Sequence, residues 1–265
     1  MKIGIHGVNG KMGQKIAEAV LSDNSVVLAA ASVRQHHSWY NKALNEVSDI
    51  KSEVKTTANL EVLCQKSEVI IDFTRPDATL ALLHLSQRYN RPLMIGTTGL
   101  NDDIKQVISH AAKNIPIVLA ANTSLGVNVL MEITRRVAEV LGSDEWDAEI
   151  FEAHHRRKAD APSGTALKLG AEIAKGRKVD FEKVCRYPHE TVRKKDGEIG
   201  FSVMRGGDIC GDHSVFFISE YERVELTHRA QDRSIFARGA LKAAKWLYGK
   251  KPGLYSMADV LGFNG

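Results

Sequence analysis

Apolar residues in the first half of the chain switch repeatedly between two periods. Lys2-Ile3-Gly4-Ile5-His6 is a short apolar run that breaks at Gly7, after which Ile16, Ala17, Val20 and Leu21 recur at helical spacing. Val26 to Ser32 is a second β-compatible run, and Glu68-Val69-Ile70-Ile71-Asp72-Phe73 is a third that stops at Thr74-Arg75-Pro76. Asp77 is placed to open a helix that runs through Tyr89. Leu93 to Gly96 and Ile115 to Ala120 read as further strands, separated by a helix from about Asp102 to Lys113. Apolar strands alternating with helices predict a parallel sheet covered on both faces, with right-handed crossovers.

The second half changes character. Leu125, Val129, Ile133, Val137 and Leu141 form one stripe and predict a long amphipathic helix over Leu125 to Leu141. Trp146 to Ala153 reads as a strand, and Thr165 to Lys175 as a helix ended near Gly176. Ile199 to Met204, Ser214 to Ser219 and Arg223 to Ala230 read as strands with no helical segment between them, which predicts an antiparallel or mixed sheet. Ser234 to Tyr248 is a final amphipathic helix, and the polar, basic stretch from Asp180 to Gly197 reads as a long loop. The expected fold is α/β: an N-terminal Rossmann-like, doubly wound parallel sheet, then an α+β domain with the mixed or antiparallel sheet. The expected division is residues 1–124 for the dinucleotide-binding domain and 125–233 for a substrate-binding and oligomerisation domain, with the C-terminal helix, about 234–265, packing back on the first.

Composition narrows the function classes. The chain has 265 residues, 43% hydrophobic and 26% charged, as a globular enzyme of one large or two modest domains would. A net charge of +4 and 6% aromatic residues argue against a nucleic-acid partner. Three cysteines, Cys64, Cys185 and Cys210, lie far apart and form no zinc-ligand spacing, so no metal is expected and a reducing, cytoplasmic compartment is. No apolar run reaches the roughly 18 residues a membrane helix needs, so no membrane partner is expected.

Two segments carry the chemistry. Gly7-Val8-Asn9-Gly10-Lys11-Met12-Gly13 joins a strand to a helix, and glycines at 7, 10 and 13 permit a tight turn that seats a pyrophosphate on the helix start. Asn9 stands where a second glycine is usual, and Asn tolerates a positive φ better than most residues. After the second strand the chain reads Ser32-Val33-Arg34, with no carboxylate for a ribose 2′-hydroxyl and an arginine suited to a 2′-phosphate, which favours NADPH over NADH. Gly96-Thr97-Thr98-Gly99 and Ala120-Ala121-Asn122-Thr123-Ser124 follow two other strands and suit a nicotinamide-ribose crevice.

The second segment, Glu152 to Thr165, reads E-A-H-H-R-R-K-A-D-A-P-S-G-T. Two imidazoles can move protons near neutral pH, the cations can hold carboxylates, and the Ser163–Thr165 helix start can offer N–H groups to an anion. Spacing does not rank His154 over His155. Arg156 and Arg157 are neighbours, so in an extended loop at most one faces a site, and Asp160 is expected to orient the loop. His6, His84 and His110 are isolated and read as non-catalytic, and Arg229 and Lys242 as surface charges.

These motifs, with Ile71 to Pro76, Gly126-Val127-Asn128, Arg205 to Ile209 and Gly211-Asp212-His213, resemble the dihydrodipicolinate reductase family of bacterial diaminopimelate and lysine biosynthesis over nearly the whole chain. The resemblance implies NAD(P)H-dependent reduction of a cyclic dicarboxylate, 4-hydroxy-tetrahydrodipicolinate, to tetrahydrodipicolinate by a homotetramer. It implies His154 as the acid/base residue, Lys158 as a second proton donor, His155 as a substrate contact, and Gly164 and Thr165 as a carboxylate site. Cofactor contacts are implied at Gly7, Val8, Asn9, Gly10, Lys11 and Met12, at the end of the second strand, at Gly96, Thr97 and Thr98, and at Ala120, Ala121, Asn122 and Thr123. Two rivals stay open: a semialdehyde dehydrogenase, which would need a reactive cysteine near a motif, and a nucleotide-binding sensor without turnover.

Overall fold

A computed structural model describes residues 1–187 and 195–263. Contacts divide the chain into two compact units, Met1–Leu125 with Ser234–Gly265, and Gly126–Arg233.

In the first unit the order is β1 (Lys2–His6), α1 (Lys11–Leu21), β2 (Val27–Ser32), α2 (Leu44–Val47), β3 (Thr56–Thr57), α3 (Leu60–Lys66), β4 (Val69–Asp72), α4 (Pro76–Arg88), β5 (Leu93–Ile95), α5 (Asp102–Ala111) and β6 (Pro116–Leu119). The second unit holds α6 (Leu125–Val140, from its second residue on), β7 (Asp147–His154), α7 (Gly164–Arg177), α8 (Phe181–Val184), β8 (Cys185–Arg186), β9 (Ile199–Arg205), β10 (Asp212–Ile218) and β11 (Arg223–Arg229). The chain then returns to the first unit with α9 (Ser234–Leu247), β12 (Gly253–Tyr255) and α10 (Met257–Leu261).

The first sheet has seven strands in the order β12-β6-β5-β4-β1-β2-β3, and every pairing is parallel. Its central strands are buried on both faces, which is why Ile3, Ile5, Val69, Ile70 and Ile71 read as continuous apolar runs rather than an alternation. Local signals set the helix starts: Asn101 Oδ1 accepts the N–H of Ile104, and Ser256 and Asp259 form a reciprocal capping box. Helix α4 begins one residue before the expected Asp77, with Pro76 at its first position, where the missing N–H costs nothing. Helix α9 packs against α1 and the sheet.

Several elements escape the periodic reading. Residues 33–67 hold α2, β3 and α3, and the C-terminal stretch is not one helix, because β12 joins the sheet beside β6 after α9 ends. Elements of two to seven residues are too short to show a period. The expected loop at 180–197 opens with α8 and β8, and its residues 188–194 lie outside the described residues. Gly176 does not end α7. A Cβ there would stand 2.5 Å from the Arg135 carbonyl oxygen, so this glycine lets α6 and α7 pack closely, and the left-handed cap falls on Lys178 at φ 56.

The second sheet is mixed, in the order β11-β10-β7-β9-β8: β10 runs antiparallel to β7 and β11, while β7, β9 and β8 are parallel. Its register aligns three apolar rows. Ala148 pairs with Ile199 and Phe217, and Ile150 with Phe201 and Val215, all buried in one core cluster with α7 residues Ala166, Leu169 and Ile173. No helix among the described residues is long and apolar enough to cross a membrane.

Candidate active site

At the C-terminal end of β1 the turn into α1 is made by backbone. Gly7 takes φ 79, and the N–H groups of Gly7 and Val8 both donate to the Ser32 carbonyl, at 3.2 and 3.1 Å. Asn9 does not use the positive φ it would tolerate; Gly7 alone bends the chain here, and the Asn9 carbonyl accepts from Gln14 Nε2 at 3.1 Å. A Cβ on Gly13 would stand 2.3 Å from the Gly7 oxygen, so the helix reaches the turn only without a side chain. Gly10 caps α1 with no side-chain hydrogen bond, leaving the first N–H groups of the helix for an anion.

A cleft of about 450 Å³ opens here, lined among others by Gly7, Asn9, Gly10, Ser32 and Arg34. A missing Cβ at the turn, an uncapped helix start and an exposed arginine beside it fit a dinucleotide diphosphate. The other expected contacts are not among the residues that line it. Val8 is fully buried in the core, Met12 packs against it partly buried, and Lys11 is exposed at the start of α1. Gly96 gives room to the Phe73 ring, which a Cβ would meet at 2.1 Å. The Thr97 hydroxyl is buried in a network with Thr79 and the fully buried Asp72, while Thr98 is exposed. Ala120 is buried and Ala121 exposed, and Asn122 Oδ1 accepts the N–H of Ser124. Thr123 is 1% exposed and donates its hydroxyl to the Phe236 carbonyl at 2.7 Å, which leaves its backbone as the available contact. The sequence reading gave no cofactor role to Phe73, Thr74 and Arg75, which also line the cleft, as does His6, which it read as non-catalytic. His6 is buried with Nδ1 2.6 Å from Ser32 Oγ, and burial lowers its pKa despite the nearby Asp72.

The second constellation sits where the aligned rows of the mixed sheet end. Side chains two apart on a strand share a face, and so do directly paired residues. The row Ala148, Ile150 on β7 therefore continues as Glu152 and His154. The register sets Arg205 of β9 beside His154, and His213 of β10 opposite Glu152. Each apolar row thus closes on titratable groups at one end of the sheet.

Glu152 is 1% exposed, yet both its oxygens are fully engaged. Oε2 accepts from His154 Nδ1 at 2.5 Å and Arg205 Nη1 at 2.8 Å; Oε1 accepts from Arg205 Nη2 at 2.7 Å and the Ser163 N–H at 2.9 Å. Burial alone would raise this carboxyl, but the bonds from His154 and Arg205 hold its pKa at about 2. His213 packs edge-on against His154 with ring centres 5.1 Å apart, and its Nε2 lies 3.1 Å from Ser163 Oγ. Burial first, then the neighbouring His154, lowers the His213 pKa to about 4, so it is neutral near pH 7. The side chain of His154 is 12% exposed, and its second nitrogen faces Gly211, where a Cβ would come within 3.0 Å of Nε2.

Around this pair stand the other expected residues. Lys158 Nζ pairs with Asp160 Oδ1 at 2.8 Å, and the Asp160 carbonyl accepts from Arg205 Nη2. His155 Nε2 accepts from Arg233 Nη2 at 3.2 Å, so its proton is on Nδ1, which is buried without a partner among the described residues. Burial and the cations Arg157, Arg233 and Lys158 lower its pKa. Arg156 is exposed, and Arg157 reaches Asp208 at 2.7 Å. Ser163 caps α7 through Oγ, which accepts the Ala166 N–H, and Gly164 stands exposed at the first helical position with Thr165 after it. No acidic residue occupies that first turn, so the helix start keeps its positive end for an anion. Sequence reasoning missed Glu152, Arg205, His213 and Arg233 as site residues. The signal was present for three of them, because a buried row that ends in Glu, Arg or His interrupts an apolar alternation.

Among the described residues no group of three or more His, Cys, Asp or Glu side chains is placed to hold a metal ion. Residues 1–123 match the family model for the dihydrodipicolinate reductase N-terminus, and residues 126–261 that for its C-terminus. The chain is 44% identical over 99% of its length to 4-hydroxy-tetrahydrodipicolinate reductase of Magnetococcus marinus, covering 99% of that protein. It is 44% identical to the enzyme of the same name from Thiobacillus denitrificans, over 99% of this chain and 98% of the other. A dipicolinate-bound dihydrodipicolinate reductase from Paenisporosarcina sp. TG-14 superposes with a TM-score of 0.80 at 26% identity, over 98% of each chain.

Proposed function

The chain belongs to the dihydrodipicolinate reductase family, and from that premise we propose that it reduces 4-hydroxy-tetrahydrodipicolinate to tetrahydrodipicolinate with NAD(P)H, a step of diaminopimelate and L-lysine biosynthesis. The observation that carries this reading is an imidazole backed by a buried carboxylate, set beside a helix start that can take an anion. NAD(P)H supplies the hydride. Loss of the 4-hydroxyl as water leaves a conjugated imine; its reduction builds negative charge, which His154 quenches with a proton from Nε2, the nitrogen that Glu152 leaves outward. His155 suits substrate binding better than acid catalysis: it is held neutral, and its Nδ1–H is a donor without a partner among the described residues. Gly164 and Thr165 hold one substrate carboxylate at the start of α7, and Lys158, poised by Asp160, faces the second or donates a proton.

The cofactor preference follows from the end of β2. No carboxylate stands in Ser32-Val33-Arg34, with Val33 where many family members carry an acid, and the exposed Arg34 lines the cleft, so NADPH is preferred over NADH. The enzyme assembles as a homotetramer through the second sheet, whose edge strand β11 and half-exposed Met204 suit association with further copies. Consumption of NADPH and NADH, followed by absorbance with the cyclic substrate made in situ, tests the reading. Turnover with both, faster with NADPH, is expected. Arg34→Ser should raise the KM for NADPH about tenfold, the scale of one charge-assisted contact, and leave that for NADH unchanged. Nucleotide binding without turnover would leave a sensor instead of an enzyme.

A further inference from the structure

We propose that Glu152 is the positioning residue of the proton donor: it fixes the protonated Nδ1 of His154 inward, turns Nε2 outward, and ties that ring to the helix start that receives the substrate carboxylate. The inference rests on the reading of His154 as the acid.

The argument begins with the acceptor. An ionised carboxylate has no proton to give, so the nitrogen bonded to it must carry one. His154 Nδ1 lies 2.5 Å from Glu152 Oε2, which leaves Nε2 as the only ring nitrogen able to release and regain a proton during a cycle. Arg205 grips both oxygens of Glu152, at 2.7 and 2.8 Å, and this two-point hold prevents the carboxylate from turning. The other oxygen accepts the N–H of Ser163, the cap of α7. One rigid group therefore sets both the direction of the acid and the position of the anion-binding turn.

A stability role alone does not explain the arrangement. Glu152 continues a buried row whose earlier members are Ala148 and Ile150, and a buried ion pair seldom stabilises more than an apolar side chain would. The pair is also placed at the one end of the row where the sheet meets the histidine loop. Gly211 keeps the outward nitrogen clear.

The groups that face His154 are Glu152 on its own strand, Arg205 on β9, His213 on β10, and His155, Lys158 and Asp160 on the loop. Of the two carboxylates only Glu152 bonds the ring, while Asp160 is paired with Lys158. Replacing it by the neutral Glu152→Gln should cut kcat about 10- to 100-fold, the scale for a group that orients a reacting side chain. It should also move the alkaline fall of kcat down by about one pH unit, because the imidazolium loses its counter-charge. Glu152→Asp should recover part of kcat and restore the pH profile. A Glu152→Gln enzyme with an unshifted pH profile would overturn the proposal.

Should that variant fail to fold, ¹⁵N shifts of the histidines in the unaltered protein decide. The neutral ring of His154 is expected with the proton on Nδ1, and the Nε2–H form there would refute the inference. The tautomer is read without substrate or cofactor. It stands or falls separately from the proposed reaction, which the turnover assay tests.

Discussion

The cleft at the Gly7 turn and the histidine end of the mixed sheet are built in opposite ways. The cleft is built from backbone: Gly7, Gly10 and Gly13 shape the turn, Val8 points into the core, and the helix start supplies donors. The histidine end is built from side chains that converge from three strands on one buried carboxylate. A backbone site depends on what is absent, so it should tolerate side-chain changes except where a Cβ intrudes. A side-chain site depends on matched charges, so single deletions and pH should both reach it.

The largest effect should come from breaking the second region. His154→Ala is expected to lower kcat about 10²- to 10⁴-fold, the usual cost of losing a general acid, with the KM for nucleotide unchanged. Steady-state kinetics check this, and near-normal turnover would remove His154 from the mechanism.

The first region should break in the opposite pattern. In Gly13→Ala the methyl group arrives 2.3 Å from the Gly7 oxygen, so α1 must retreat from the turn. The expected cost is about 1–3 kcal/mol of stability, as for other overpacked sites, with weaker nucleotide binding by tenfold or more. Asn9→Ala, which removes no fold-directed contact of its side chain, should change both by far less. Equal effects from the two variants would show that the turn is not built from backbone as argued.

The last effect concerns pH and separates the two buried groups at the histidine end. His213 has its pKa lowered from 6.5 to about 4 in the folded chain, so the unfolded chain binds more protons between those values. Its contribution is present above pH 6.5 and is lost as pH falls toward 4. Glu152, lowered from 4.5 to about 2, loses its contribution in a lower window, between those two values. Each step is on the order of 3 kcal/mol at most by linkage, and His213→Gln should flatten only the upper one. Melting temperatures across pH 4 to 7 would reveal a slope that persists in the variant if another group is responsible.

Much of the first region could be read directly along the chain. Strand, glycine turn and helix are adjacent in sequence, so β1, the bend at Gly7 and α1 follow from local rules. Short elements escaped because two or three residues carry no period, as at β3 and β12. At the histidine end the dense cluster from Glu152 to Thr165 was visible, but its internal order was not. His154 and His155 are equivalent by spacing, and what separates them is that one ring meets Glu152 while the other accepts from Arg233.

Sequence by itself determined the two kinds of sheet, the glycine turn and the concentration of protons and cations in one loop, because these depend on neighbours within a few residues. Tertiary structure alone decided which imidazole is backed by a carboxylate and which nitrogen it turns outward. That choice depends on Arg205 and His213, more than fifty residues beyond Glu152, arriving beside it through strand register. Register is fixed by the apolar rows that Ala148, Ile150, Phe201 and Val215 bury together, so the core positions the charges that end them.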